Sequence, residues 1–363
     1  MELIMKENPL KKQRLEWLDA MRGFTMILVV MFHVTAISFG QEDSESASTS
    51  FLILFRIPLF FFVSGYLAYK ADLEWNTENY VTILWKKVKI QILPTVVFFM
   101  LMCAIRCDDF TFAFFTFLST PTKGGYWFTW SLLHMFFLYY TVLFGYNRLL
   151  KYANGGGKME NLILCFIFLV FVCIYMMLYM PSVFSFKHPF WGYFSFTQTM
   201  KFFQFFLIGN LTHRYWKKFE FLFDSKYFFP LVSVIATVCT LECLKLHHLL
   251  QSIEHLVRLA AIYSLMFIVI MFFRFYKDSF SKTTWIGANL QKIGTRTLDI
   301  YLIHFILLPL LPCVGTFFAD NKANFLIEIV ASLAISIIVI IGCFIVSNIL
   351  RISPIFKQYL FGR

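Results

Sequence analysis

The chain has 363 residues and a formal net charge of +11; 59% of its residues are hydrophobic, 20% aromatic and only 15% charged. An ordinary soluble domain has roughly 25% charged residues, so this chain lacks the polar surface that a cytosolic enzyme, a disordered chain or a secreted disulfide scaffold needs. Its apolar residues instead come in runs of about 20, enough to cross roughly 30 Å of hydrocarbon. The sequence therefore predicts an all-α polytopic membrane protein.

The chain begins with a polar, basic tail over residues 1–17, followed by an apolar run that starts at Phe24. A signal peptide begins in the same way, but no small-residue cleavage site follows and His33 lies within the run, so we interpret it as an uncleaved first transmembrane helix. The predicted spans are 18–39, 51–69, 88–106, 126–147, 160–180, 196–212, 227–245, 254–273, 293–313 and 324–350. The segment Phe110–Leu118 is too short to cross and is expected at the outer interface.

Lysine and arginine are distributed unevenly over the segments between these ten spans. If the N-terminus lies inside, most of the 32 basic residues fall in inner segments, and the first outer loop, with Glu42, Asp43 and Glu45, is acidic. The positive-inside rule then places both termini in the cytoplasm. Because all the loops are short, we expect one transmembrane domain over residues 1–363, with a basic tail and no soluble extra domain.

Two classes of ligand are not expected. Nucleic acid attracts basic clusters, but each cluster here lies between hydrophobic spans, which indicates cytoplasmic loops instead. The eight cysteines form no CxxC and behave as small hydrophobic residues. Three intramembrane histidines, His33, His134 and His304, leave zinc as a weaker alternative, but no HExxH-like spacing supports it. The glycine-rich stretch 154–158 lacks the spacing of a phosphate-binding loop and predicts a flexible inner turn.

Ionisable side chains within the bilayer are the strongest functional signal. An intramembrane Arg, Lys or Asp costs about 2.5–3.5 kcal/mol, so such a residue usually faces a protein interior or a wet cavity. In the first span, Asp19 and Arg22 are three residues apart and can pair. Arg22 and His33 are eleven apart, which is about three turns and roughly 16 Å along one helix face. This face therefore connects the inner end of the helix to a histidine in the outer half of the membrane.

The second span carries Arg56 at a depth similar to that of His33, and Ser64 and Gly65 near the level of Arg22. A simpler interpretation exists for two of them. Arg56 could extend outward as an interfacial anchor, and Gly65 could only allow close helix packing.

The fourth and ninth spans add further polar candidates. His134 follows Trp127 and Trp130, for which an interfacial aromatic belt is the favoured interpretation. In the ninth span, Tyr301 and His304 are three residues apart and share a helix face. Weaker candidates, for which structural roles are favoured, are Gln204, Arg258 and Glu328.

These polar positions lie within sequence blocks that the chain shares with a known family. The blocks are Leu18-Asp19-Ala20-Met21-Arg22-Gly23 and on to His33, Arg56 to Tyr66, Tyr126-Trp127-Phe128, and Gly294 to His304. In their order and spacing they resemble the acyltransferase 3 family of integral membrane acyltransferases. Arg22 and His33 are similar to its Arg-x10-His pattern, and Met21 stands where leucine is more usual.

The resemblance implies a bundle of ten transmembrane helices that transfers an acyl group, commonly acetyl from acetyl-CoA, to a hydroxyl of a carbohydrate. The expected partners are the lipid bilayer, acyl-CoA and a cell-surface polysaccharide or exported sugar, and the expected location is a bacterial inner membrane. A transporter or flippase of envelope sugars is the first alternative. A non-catalytic scaffold for envelope assembly is the second.

We hypothesise a passage through the bundle with acyl-CoA at its inner end. The residues assigned to acyl-CoA are Arg22, Asp19, Ser64, Lys86, Lys87 and Lys89, among which the cations would bind phosphate. His33 is assigned either as the general base or as a covalent carrier of the acyl group. The residues assigned to stabilising the oxyanion are Arg56, His304 and Tyr301.

Overall fold

The computed structural model describes residues 15–41, 46–70, 73–153, 158–178, 189–245, 251–320 and 325–361, and within these ranges it has helices and no strand. The α-helices are α1 Glu16–His33, α2 Ala47–Ala68, α3 Thr77–Arg106, α4 Phe110–Ser119, α5 Trp127–Ala153, α6 Lys158–Leu178, α7 Pro189–Tyr193, α8 Phe196–Arg214, α9 Trp216–Phe223, α10 Phe228–Lys245, α11 Gln251–Phe275, α12 Trp285–Thr295, α13 Thr297–Leu307, α14 Pro312–Asp320, α15 Phe325–Leu350 and α16 Pro354–Phe361. Residues Val34–Ser38 continue α1 as π-helical turns. Residues 1–14 of the basic tail, the acidic first loop at 42–45 and the glycines at 155–157 lie outside the described residues.

Seven helices in the described part of the chain are long and apolar enough to cross a membrane: α1 with its continuation, α2, α3, α5, α6, α11 and α15. Two bent pairs, α9 with α10 at 80° and α13 with α14 at 88°, raise the number to nine. Helix α8 has 19 residues but a more polar composition, and its Gln204 and Asn210 are fully buried. Helix α8 covers the predicted span 196–212 but is not among these candidates, so the described residues support seven to nine of the ten predicted spans. The segment predicted at the interface forms the short helix α4.

The predicted ninth span, 293–313, is not one straight helix. Its residues belong to α12, α13 and α14, with breaks at Arg296 and at 308–311. Pro309 lies in the second break and Pro312 begins α14, and proline offers no N–H for the helical hydrogen bonds. Helix α13 therefore ends one turn after His304, and the chain turns sharply into α14.

Contacts between helix ends define two sides of the bundle. Arg22, near the start of α1, donates a hydrogen bond to Thr297 at the start of α13. Glu328, near the start of α15, accepts hydrogen bonds from Ser46 and Ser48 at the start of α2. We call these ends of the bundle the Arg22 side and the Glu328 side.

Basic residues from several loops gather on the Arg22 side. The ammonium group of Lys282 lies 3.9 Å from the carboxylate of Glu16. The Arg274 guanidinium lies 5.8 Å from the ring centroid of Trp216, and that ring stacks on Trp17 near the start of α1. Lys282 and Arg274 thus lie near the same end of α1 as Arg22.

Helices α1 and α12 cross with their backbones in contact, because each has a glycine at the crossing. A Cβ on Gly23 would lie 2.0 Å from the carbonyl oxygen of Leu290, and one on Gly294 would lie 1.9 Å from that of Asp19. No side chain fits at either position. The crossing brings the start of α13 next to Arg22.

Helices α2 and α8 cross in the same way. A Cβ on Gly65 would lie 1.8 Å from the carbonyl oxygen of Phe206, and one on Gly209 would lie 2.0 Å from that of Phe62. Small residues allow such close approach in membranes, where dispersion contacts drive helix association. Gly65 is therefore a packing residue, which agrees with the simpler interpretation of it.

We expect Gly65→Ala to destabilise the protein, because the added methyl group would occupy the position of the Phe206 backbone. Overpacking of this kind costs about 1–3 kcal/mol. Gly145→Ala in α5 is the matched control, since nothing lies within 4 Å of its added Cβ. Thermal unfolding of both purified variants in one detergent measures the difference. Equal midpoints for the two variants would contradict the close crossing.

Candidate functional site

The imidazole rings of His33 and His304 meet between the end of α1 and the second half of α13. His33 Nδ1 and His304 Nε2 are 3.1 Å apart, although the residues are 271 positions apart in the chain. His304 is fully buried, and the ring of Phe305 lies 4.7 Å from that of His33. The fold therefore brings two of the predicted site residues into direct contact in the interior of the bundle.

The hydrogen bonds of this pair determine where its protons lie. His304 Nδ1 is 3.0 Å from the carbonyl oxygen of Ile300, and a carbonyl oxygen can only accept, so this nitrogen carries the hydrogen. In a neutral ring His304 Nε2 must then accept, and His33 Nδ1 must donate to it. His33 Nε2 is left with its lone pair, and no hydrogen bond within the described residues uses it. A nitrogen in this state can act as a base or as a nucleophile.

A cavity of about 380 Å³ lies beside His33, towards the Glu328 side. The polar and charged side chains of its lining are those of His33, Arg56, Thr122, Tyr175, Gln198, Lys201 and Arg258. The guanidinium carbon of Arg56 lies 3.4 Å from the ring centroid of Phe32, and Arg56 is only 7% exposed. Arg56 therefore lies within the bundle beside His33 and is not an exposed interfacial anchor.

A second cavity, of about 240 Å³, lies towards the Arg22 side. The charged residues of its lining are Arg22, Lys87, Asp299 and Arg351, and Ser64 and Tyr301 also line it. The Lys87 ammonium lies 3.6 Å from the ring centroid of Phe136. Arg22 is 3.4 Å from the carboxylate of Asp19 and 3.2 Å from the hydroxyl of Thr297. The lining thus carries three cations and one carboxylate.

Four aromatic side chains separate the two cavities, which share no lining residue. Phe128 and Tyr301 line the Arg22-side cavity, and Trp127 and Phe305 line the other. We call these four residues the aromatic layer. The Tyr301 hydroxyl donates to the carbonyl oxygen of Gly125 at 2.8 Å and accepts from the N–H of Phe128 at 3.2 Å. In place of the expected continuous passage, this structure therefore has two cavities. The Tyr301 hydroxyl already donates its only hydrogen to a backbone carbonyl.

The residues assigned to acyl-CoA do not all reach the cavity. Lys87 lines it, whereas Lys86 and Lys89 are exposed. Successive residues of an α-helix point about 100° apart, so three such lysines cannot all share one face. Asp19 is buried and holds Arg22 without lining the cavity. Ser64 lines it, and its hydroxyl donates to a backbone carbonyl one turn earlier at 2.9 Å.

Two residues of the fourth span lie differently from the expectation. His134 is 3.3 Å from the Thr199 hydroxyl and lies beside Phe196, so it does not join the pair of histidines. Trp127 stacks on Phe202 and lines the cavity beside His33. Its ring therefore contributes to the wall of this cavity, and its place in an interfacial belt stays a prediction. No group of three or more metal-ligating side chains occurs among the described residues.

Reasoning from the sequence missed Arg351 as a cavity residue and counted it only as a basic loop residue. It lies just after α15 and donates to the Asp299 carboxylate at 2.7 Å. Ser347 donates to the same carboxylate, also at 2.7 Å. The available signal was the spacing of four between Ser347 and Arg351, which places a hydroxyl and a cation on one face of an apolar helix.

A family model described as an acyltransferase domain matches residues 15–348. This stretch contains both histidines of the pair and the greater part of both cavity linings. The chain belongs to the acyltransferase 3 family. The blocks that resemble this family in the sequence thus fold around one site, and membership makes the protein a membrane acyltransferase.

Curated relatives of this acyltransferase match it over a shorter stretch. Glucans biosynthesis protein C of Escherichia coli strain SMS-3-5 / SECEC is 31% identical over 98 residues, which cover 24% of this chain and 26% of the relative. The protein of the same name from Escherichia coli strain K12 is 29% identical over 93 residues, which cover 23% of each chain. The match thus spans about a quarter of these relatives. No solved structure matches the chain.

The hydrogen bonds of this acyltransferase predict that His33 carries its proton on Nδ1. In ¹⁵N NMR of protein labelled at histidine, we expect a directly bonded hydrogen on His33 Nδ1 and none on Nε2. Resonances lost in His33→Asn identify the residue. Removing the acceptor with His304→Ala is expected to give a mixture of tautomers, whereas His134→Gln should leave the His33 signals unchanged. A wild-type His33 protonated at Nε2 would show that the proposed proton positions are wrong.

Proposed function

We propose that this membrane acyltransferase moves an acyl group, in the first instance acetyl, from cytoplasmic acyl-CoA to a hydroxyl of a cell-surface or exported carbohydrate. The observation that supports this most directly is the position of His33. Its Nε2 keeps a lone pair at the wall of one cavity, while a second cavity lined by cations lies on the other side of the aromatic layer.

In this proposal the Arg22 side faces the cytoplasm of a bacterial inner membrane, and both termini lie there. The gathering of basic residues on that side supports the orientation, because cytoplasmic loops carry an excess of lysine and arginine. One transmembrane domain then holds both the donor and the acceptor cavity.

The donor binds on the Arg22 side. Coenzyme A carries phosphates, and charge-assisted hydrogen bonds from Arg22, Lys87 and Arg351 would hold them. Asp299 keeps Arg351 in place. Lys86 and Lys89, exposed on the same helix, would attract the polyanion from solvent. To bring the acyl group to His33, the acyl-pantetheine arm has to displace the aromatic layer.

The acceptor hydroxyl lies in the cavity beside His33. As its oxygen attacks the thioester carbonyl, His33 Nε2 takes the hydroxyl proton, and the hydrogen bond to His304 keeps the new imidazolium in place. The guanidinium of Arg56, which lines the same cavity, would stabilise the oxyanion. The C–S bond then breaks, the thiolate takes the proton from His33, and the products are an ester and free CoA. In the covalent alternative, the same nitrogen attacks the thioester first and carries the acyl group.

The name of the relatives, glucans biosynthesis protein C, makes a glucan the first acceptor to test. Bent helices also occur in transporters, and the two bent pairs in this bundle are therefore one feature shared with the alternative of a sugar transporter. Only an enzyme releases free CoA and leaves acyl label on the carbohydrate.

We expect His33→Ala to lower acyl transfer by at least about 100-fold, because a positioned base contributes roughly 10²–10⁴ in rate. The assay incubates purified protein with radiolabelled acetyl-CoA and a glucan and measures labelled product. The matched control is His134→Gln, another intramembrane histidine, which should retain wild-type turnover. Label that stays on the wild-type protein without acceptor would select the covalent route. Normal turnover by His33→Ala would exclude both routes.

We expect Arg22→Ala to raise KM for acetyl-CoA by about tenfold or more, because a hydrogen bond to a charged group is worth roughly 1.5–3 kcal/mol. Lys86→Gln removes the same charge from an exposed position and should change KM much less. Initial rates at varied acetyl-CoA concentrations give both values. If Arg22→Ala depends on acetyl-CoA in the same way as the wild type, the donor does not bind at Arg22.

A further inference from the structure

The cavity beside His33 has an unusual charge for a site that faces a carbohydrate. Its charged side chains are Arg56 from α2, Lys201 from α8 and Arg258 from α11, and no acidic residue of the described chain lines it. Three helices thus each contribute one cation to the same space. Glu328, a buried carboxylate on this side, is hydrogen-bonded to serines and does not line the cavity.

These cations lie within the predicted spans. Lys201 is five residues from the start of α8 and Arg258 seven residues from the start of α11, which correspond to about 8 and 11 Å of helix at 1.5 Å per residue. Each costs free energy in the bilayer, so a cation retained there needs a role. Arg56 has one in the reaction beside His33; Lys201 and Arg258 have no assigned role.

A structural ion pair does not explain Arg258. Within the described residues its side chain forms no salt bridge, and Glu254, one turn earlier, does not line the cavity. A guanidinium has five N–H donors, so it can bind a ligand even while it contacts a neighbour. Gln198 lies three residues before Lys201 and adds an amide to the lining.

A neutral sugar is usually bound through carboxylates, amides and hydroxyls that match its own hydroxyl groups. This lining offers the hydroxyls of Thr122 and Tyr175 and the amide of Gln198, but no carboxylate of the described residues, and apart from His33 and the cations the rest of it is aromatic, aliphatic or glycine. Arginine and lysine instead match phosphate and carboxylate oxygens. We propose that this cavity selects a carbohydrate acceptor that carries an acidic group, a phosphate or a carboxylate, which binds at Lys201 and Arg258. The inference rests on the proposed function, since it names the acceptor of that site.

The proposal separates two regions of one cavity. The acidic group binds at Lys201 and Arg258, and a hydroxyl elsewhere on the same molecule reaches His33. An anionic lipid headgroup offers the same oxygens, but the occupant of this cavity has to reach His33, which favours the acceptor. A lipid is therefore the alternative that the experiment has to distinguish.

The test measures binding first, so that it does not depend on turnover. The full chain is placed in phosphatidylcholine nanodiscs and titrated with glucose, glucose 6-phosphate and glucuronate. We expect at least tenfold tighter binding of one or both acidic sugars than of glucose. Arg258→Gln and Lys201→Gln should each reduce that preference severalfold, and Arg258→Lys should retain part of it. Lys277→Gln, which removes an exposed charge outside the cavity, is the control and should keep the full preference.

Three results would overturn the proposal. The first is equal binding of the neutral and acidic sugars, and the second is a preference that survives both Arg258→Gln and Lys201→Gln. Repeating the titration with phosphatidylglycerol in the nanodiscs examines the alternative; if the lipid abolishes binding of the acidic sugars in the wild type and not in Arg258→Gln, the site is a lipid site and the proposal fails. Labelled acetyl-CoA supplies the separate readout. Absence of CoA release with every acceptor contradicts the proposed function, while the binding data still decide the charge of the ligand.

Discussion

The hydrogen bond between His33 and His304 is the interaction on which the site depends. It requires the end of α1 and the short helix α13 to lie side by side at one depth, and the glycine crossing of α1 with α12 sets that position from the other end. It also selects the proton positions, because the Ile300 carbonyl leaves His304 Nε2 only the role of acceptor. A change in either helix would therefore alter the chemistry at His33 without touching that residue.

Much of the fold could be predicted from the sequence, because the hydropathy of a span and the lysines and arginines of a loop are local properties that determine how the chain inserts into the bilayer. The alternation of spans and loops follows from them. The break after α13 was not predicted, because Pro309 and Pro312 lie at the end of an apolar run that is long enough for one span. For the candidate site, His33 and Arg22 could be predicted from one helix face, and the structure places each of them at the wall of a cavity. The position of Arg351 in the cavity wall and the exposure of Lys86 could not be predicted, because both depend on how each helix is rotated relative to its neighbours.

The buried cations of the two cavities are stabilised in different ways. On the Arg22 side, Arg351 has the carboxylate of Asp299 and Arg22 has that of Asp19, so part of the positive charge is compensated within the protein. Beside His33, an aromatic ring contributes to the stabilisation of a cation, because the guanidinium of Arg56 lies over the ring of Phe32. Cation–π contacts of this kind gain strength where water is excluded.

The aromatic layer has an electrical consequence. Each cavity brings polar groups towards the centre of the bilayer from one side, and a continuous column of water between them would conduct protons. A charge that crosses a membrane potential of 100 mV changes its energy by about 2.3 kcal/mol, so such a leak would dissipate energy that the cell stores. Phe128 and Tyr301 line one cavity and Trp127 and Phe305 line the other, and the two linings share no residue. Aromatic rings between the cavities would interrupt such a column of water, so that each substrate could enter from its own side without a path for ions across the membrane.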